Sequence, residues 1–142
     1  MTLESQRAPT LQSVEGYQLQ AAGYEWDAVC VPVDIGMWAL AVLGERTGAV
    51  IVDPHGSVLY WFVARGVASN WDVPKTRALS LNQHLVVPQR GRVRGPGPHW
   101  RRRPSNTPLI TDAAALRTAL GAAIAAHCVE HGEATATAPV NR

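Results

Sequence analysis

The sequence is most informative in what it leaves out. It has two cysteines, Cys30 and Cys128, far apart and without a C-x-x-C spacing, so no disulfide framework is spelled out. Its strongest apolar stretch, residues 28–43, is broken by Pro32, Asp34 and Gly36, which leaves no run long enough to span a bilayer. The first residues, MTLESQRAPT, are polar and lack the apolar core of a secretory signal, so a cytoplasmic protein with reduced thiols and no membrane partner is expected. No G-x-S-x-G, P-loop or G-x-G-x-x-G sequence occurs, which removes the nucleophile elbow and the common glycine-rich phosphate cradles. Acidic residues are absent from Val73 to Thr111.

What is present fits one compact domain. At 142 residues and 46% hydrophobic, the chain can bury a real core. The net charge is only +2, but it is unevenly placed. Lys75, Arg77, Arg90, Arg92, Arg94, Arg101, Arg102 and Arg103 all fall in the acid-free span, an asymmetry that points to an anionic partner.

Periodicity predicts an α+β domain with a mainly antiparallel central sheet and two helices. Residues 1–24 read as a partly ordered lead-in with a short helix near Val14 to Gln20, the domain as 25–131, and 132–142 as a disordered, small and polar tail. The run from Asp27 to Val33 reads as a buried strand. Asp34 then caps a helix whose apolar face carries Ile35, Trp38, Ala39, Val42 and Leu43. Residues 49–53 and 58–63 form a hairpin about Pro54 to Ser57. Residues 77–81 and 84–88 form a second hairpin about Asn82 and Gln83. His99 to Arg102 lies extended along a sheet edge, and Thr111 or Asp112 opens a helix with Leu116, Leu120, Ala123, Ile124 and His127 on one face.

Three groups of residues are candidates for chemistry. The segment PQRGRVRGPGPHWRRRP, residues 88–104, carries arginine forks suited to phosphate, with Trp100 as a platform for an unpaired base. A solvated basic loop would look the same. Residues 127–131, HCVEH, match the H-x-x-E-H pattern of inverted zinc peptidases. That chemistry needs a third ligand, and a histidine near a helix C-terminus is already favoured by the dipole. Asp27, Asp34, Asp53 and His55 sit at strand ends where carboxylates gather magnesium or manganese for phosphoryl or nucleotidyl transfer. Each of them also has a structural alternative as cap or turn residue.

Several phrases resemble the bifunctional DNA primase/polymerase (prim-pol) family, in particular its small divergent members in high-GC actinobacteria. They are the passage from Trp26 to Leu40, Val58-Leu-Tyr-Trp-Phe62, His84-Leu-Val-Val-Pro88, the glycine-rich turn into Trp100, and a last helix opened by Asp112, together covering about residues 24–126. The resemblance implies an archaeo-eukaryotic primase-like fold. It also implies that the family's paired metal-binding acids fall on Pro32 and Asp34, its histidine on Val58, and its later acid within 77–81, where none stands. With those ligands missing, two metal ions and a triphosphate are not held. The expectation is a non-catalytic protein that binds nucleic acid or a nucleotide through Arg90, Arg92, Arg94, Arg101, Arg102 and Arg103 with Trp100, without cofactor. The alternatives are a residual magnesium- or manganese-dependent transferase or phosphoesterase on Asp34, Asp53 and His55, and a protein-interaction or homodimerising module anchored by Trp26, Trp71 or Trp100.

Overall fold

A computed structural model describes residues 10–14 and 17–130. In chain order the elements are β1 (Thr10–Val14), β2 (Tyr17–Ala21), β3 (Trp26–Pro32), α1 (Val33–Leu43), β4 (Val50–Asp53), β5 (Val58–Ala64), β6 (Arg77–Leu79), β7 (His84–Pro88), β8 (His99–Arg102) and α2 (Ala113–Glu130). Five strands form one antiparallel sheet in the order β6-β3-β5-β4-β8, and β1-β2-β7 form a second, smaller one. Among the described residues the fold is therefore α+β, with two α-helices and mostly antiparallel pairing.

Side chains leave a strand on alternate faces, and here each face meets a different layer. Val29, Val31, Leu59, Trp61 and Val63 pack with Ile35, Leu40 and Leu43 of α1 and with Leu116 and Leu120 of α2. Ala28, Cys30, Ile51 and Phe62, on the opposite face, pack with Leu85 of the small sheet and with Trp100. Burial on both faces explains why β3 reads as a continuous apolar run rather than an alternation. Trp61 is completely buried, and its indole Nε1 donates to Thr47 Oγ1 at 3.0 Å, so its one polar atom is satisfied.

Helix α1 lies close to the sheet because Gly36 faces Leu59. A Cβ at Gly36 would stand 2.5 Å from Leu59 Cδ1 and 2.9 Å from its Cγ. Leu59 is itself fully buried and has little room to yield. Gly36→Ala is therefore expected to cost ~1–3 kcal/mol through overpacking, read as a lowered midpoint in thermal denaturation.

Several expectations need correction. Residues 17–21 form β2, not part of a helix, because Tyr17–Ala21 pairs along its whole length with His84–Pro88. That pairing also dissolves the second predicted hairpin: β6 joins β3 in the large sheet while β7 joins β2 in the small one. Asp34 does not cap α1. The chain enters the helix from Pro32, with no side-chain cap, and Asp34 sits exposed in the first turn, where its charge suits the helix dipole. The apolar face of α1 is narrower than predicted. Ile35, Ala39 and Leu43 are buried as expected, but Trp38 and Val42 are exposed at 46% and 39%, beside Met37 at 40%. Asp112 does cap α2, its Oδ2 accepting from the Ala115 N–H at 2.9 Å. No helix among the described residues is long and apolar enough to cross a membrane.

Candidate phosphate-binding site

The arginine segment folds around strand β8, at the edge of the large sheet. Val52 pairs with His99 and Ile51 with Trp100, but Val50 pairs with Arg102, so Arg101 is the extra residue of a β-bulge. A bulge breaks the strict alternation of side chains and re-aims them. Trp100 stays with Ile51 in the layer between the sheets. It is only 4% exposed, stacks on Phe62 at 6.0 Å between ring centroids, and donates Nε1–H to the carbonyls of Pro88 and Gln89 at 3.2 and 3.0 Å. A ring so enclosed is not free to stack on a base. Trp100 is instead the pin that ties the segment to the core, and Trp100→Ala is expected to cost ~3–5 kcal/mol of stability, measured by chemical denaturation.

The six arginines take different roles. Arg92 turns inward: its Nη2 donates to the Pro96 carbonyl at 2.6 Å, its guanidinium lies over the Tyr17 ring at 4.9 Å, and its own carbonyl accepts from the Trp100 N–H at 2.8 Å. It braces the loop and is not available to a phosphate in the way the sequence suggested. Arg103 forms a turn, its carbonyl accepting from the N–H groups of Asn106 and Thr107 at 3.0 and 3.2 Å. Its Nη2 donates to Ser105 Oγ at 3.3 Å. Arg90, Arg94 and Arg101 are exposed and Arg102 is half-buried. Among the described residues none of the six is in an ion pair; the pair found there is Arg117 with Asp72.

Two hollows divide these side chains. The larger, about 910 Å³, opens between the two sheets over Trp26, Phe62, Trp100 and Leu109, with Gln18, Gln20, Glu25 and Arg90 at its polar margin. The smaller, about 520 Å³, is lined by Arg101, Arg102, Arg103, His99, Asn106 and Thr107, together with Val93 and Trp100. No carboxylate lines the smaller one. Asn106 and Thr107 were missed in the sequence, where Pro104-Ser-Asn-Thr107 looks like an ordinary turn; their signal was only adjacency to three arginines.

The candidate metal ligands do not assemble. Asp27 is fully buried and committed to structure, accepting from the N–H groups of Gly66 and Ala68 at 2.9 and 3.0 Å and from Ser80 Oγ at 3.1 Å. Asp53 closes its turn by accepting from the His55 and Gly56 N–H groups at 3.1 and 3.5 Å. Among the described residues no three of His, Cys, Asp and Glu come together in a metal-binding group, so Asp34, Asp53 and His55 do not form the shared site expected of a residual transferase. His131 of the H-x-x-E-H pattern lies outside the described residues, as do the side chains of Cys128 and Glu130.

Where the resemblance placed polymerase ligands, Pro32 faces Val58 across β3 and β5, and Cys30 lies between Tyr60 and Arg77. Burial, followed by the neighbouring Cys30 and Asp53, pushes the Tyr60 phenol up to about 12. Folding therefore holds a proton that the unfolded chain gives up near 10. Tyr60 withdraws stability as the pH rises from about 10 to about 12 and contributes no pH dependence below that window. Ultraviolet titration of the folded protein is expected to show a phenol that ionises late, and Tyr60→Phe to remove that step.

The sequence expectation that Trp26, Trp71 or Trp100 anchors a partner also changes. Trp26 and Trp100 are buried, and Trp71 is half-buried beneath the Arg117 guanidinium. The exposed tryptophan is Trp38. Compared with known proteins, the chain matches no family model, no curated protein and no solved structure.

Proposed function

We propose that this chain is a non-catalytic nucleic-acid-binding accessory protein that grips phosphate with Arg101, Arg102 and Arg103, with Arg90 and Arg94 adding to the surrounding field. The observation that carries this reading is the smaller recess, lined by three consecutive arginines and no carboxylate. Guanidiniums without a local counter-charge attract phosphate and release its condensed counterions on binding. The wider absence of acids from Val73 to Thr111 strengthens that field. A derivation from a primase/polymerase-like fold belongs to this same proposal. It is supported by the resemblance of the strand phrases, while Pro32, Val58 and the acid-free span 77–81 at the positions of the family's metal ligands support its non-catalytic part.

The test is fluorescence anisotropy with short single- and double-stranded oligonucleotides at low salt. Asp34→Ala serves as the contrast. A metal-dependent transferase would lose its function with that carboxylate, whereas the phosphate grip should keep its affinity within about twofold, because Asp34 is exposed on α1 and outside the recess lining.

A second reading has one observation in its favour. Met37, Trp38 and Val42 form an exposed apolar face on α1, larger than a solitary surface hydrophobe. Antiparallel pairing of this exposed face with that of a second copy, centred at the level of Leu40, would set Trp38 of each chain over Val42 of the other, an isologous contact. Light scattering that gives the monomer mass removes this reading; a dimer that Trp38→Lys converts to monomer supports it.

A further inference from the structure

Resting on the phosphate-binding reading of the same recess, we propose that the ligand it selects is a terminal phosphate monoester rather than an internal phosphodiester of a nucleic-acid backbone. The first argument is the layout of the arginines. A groove that tracks a backbone distributes its cations along a path, one diester after another. Arg101, Arg102 and Arg103 are consecutive, and in a regular strand neighbours diverge to opposite faces. The bulge at Arg101 and the turn that begins at Arg103 undo that divergence, so all three line one hollow with His99. Three consecutive arginines lining one hollow suit one highly charged group.

Charge and hydrogen bonding agree. A diester carries a single negative charge, whereas a monoester carries about −1.5 to −2 near neutral pH and presents three strong acceptor oxygens. Three guanidiniums without a lining carboxylate are better matched by the second, because bidentate arginine contacts need free oxygen edges. Asn106 supplies an uncharged amide donor at the same hollow. At about 520 Å³ the recess has the dimensions of a small-molecule site, with room for the phosphate and the sugar that bears it, and it sits at a sheet edge from which a chain could lead away.

The phosphate could be the end of an oligonucleotide or belong to a free mononucleotide, and the experiment separates them. Anisotropy is measured with one short single strand bearing a 5′-phosphate, a 3′-phosphate or only hydroxyls, alongside isothermal titration with a nucleoside monophosphate. The expected result is that one phosphorylated strand binds roughly tenfold more tightly than the hydroxyl strand. That preference should vanish in Arg102→Ala and in the exposed-site variant Arg101→Ala, which keeps the test open should Arg102→Ala fold poorly. It should persist in Arg65→Ala, which removes the same charge elsewhere. If all three strands bind equally, the monoester proposal falls and the broader phosphate reading stands. If the mononucleotide binds and no strand does, the monoester proposal stands and the nucleic-acid reading falls. If neither binds at low salt, both fall.

Discussion

Replacing Arg101, Arg102 and Arg103 together by alanine is expected to weaken single-stranded oligonucleotide binding by about 100-fold at low salt, with each guanidinium supplying ~1 kcal/mol after screening. The salt dependence should change with it. Each phosphate charge neutralised on a single strand contributes about 0.7 to the slope of log affinity against log salt, so losing three arginines gathered on one terminal phosphate should flatten the slope by about 1, against about 2 for three separate backbone contacts. This pairing of effects distinguishes direct contact from collapse of the segment. Trp100, which pins β8 through the Pro88 and Gln89 carbonyls, should keep its near-ultraviolet circular dichroism in the triple variant. The same substitution at Arg92 should act differently. Arg92 braces the loop against Tyr17 and Pro96, so Arg92→Ala should lower stability and alter affinity only through the loop's order.

A large effect on folding is expected at Asp27, which the sequence offered as a metal ligand. Its buried carboxylate joins three segments: β3, on which it sits, the turn at Gly66 and Ala68, and Ser80 after β6. Asp27→Ala deprives two backbone N–H groups and a hydroxyl, all at part-buried hydrogen bonds, of their acceptor, each costing up to ~1–3 kcal/mol when left unpaired. A net loss of about 3 kcal/mol follows once water reaches part of the opened site, equivalent to a fall of roughly 6–12 °C in Tm for a chain of this length. Asp27→Asn, which keeps an acceptor oxygen, should lose less. Affinity per folded molecule should be unchanged in both, because Asp27 does not line the arginine recess. A variant that keeps its Tm but loses binding would give Asp27 the functional role that its hydrogen bonds argue against.

The legible parts of the fold were those governed by local pattern. β3, the β4–β5 hairpin, the edge position of β8 and the capped helix α2 each follow from apolar runs, turn residues or Asp112. What could not be read was pairing between distant segments. Nothing local in Tyr17–Ala21 announces that it will pair with His84–Pro88, and without that partner the weak alternation of YQLQA has no strand signal strong enough to outweigh a helix. The error at Trp38 has a similar origin. A helix apolar on nearly every side, such as VDIGMWALAVL, does not reveal which stripe meets the sheet; Gly36 against Leu59 decides it. In the candidate site the sequence identified the arginines but not their division of labour, which depends on the bulge at Arg101 and on Tyr17 coming from the small sheet to cover Arg92. Trp100 was mistaken for a platform because burial is a tertiary property: a tryptophan among arginines and glycines looks exposed until Phe62 and the two carbonyls are in place.

Oligonucleotide binding as a function of salt, with the wild-type chain and the Arg101/Arg102/Arg103 alanine variant side by side, tests the central claim most directly. The expected result is measurable affinity at low salt that falls steeply as salt rises, and a variant both weaker and flatter by about one unit of slope. Wild-type affinity that is absent at low salt, or equal slopes for the two proteins, would contradict it.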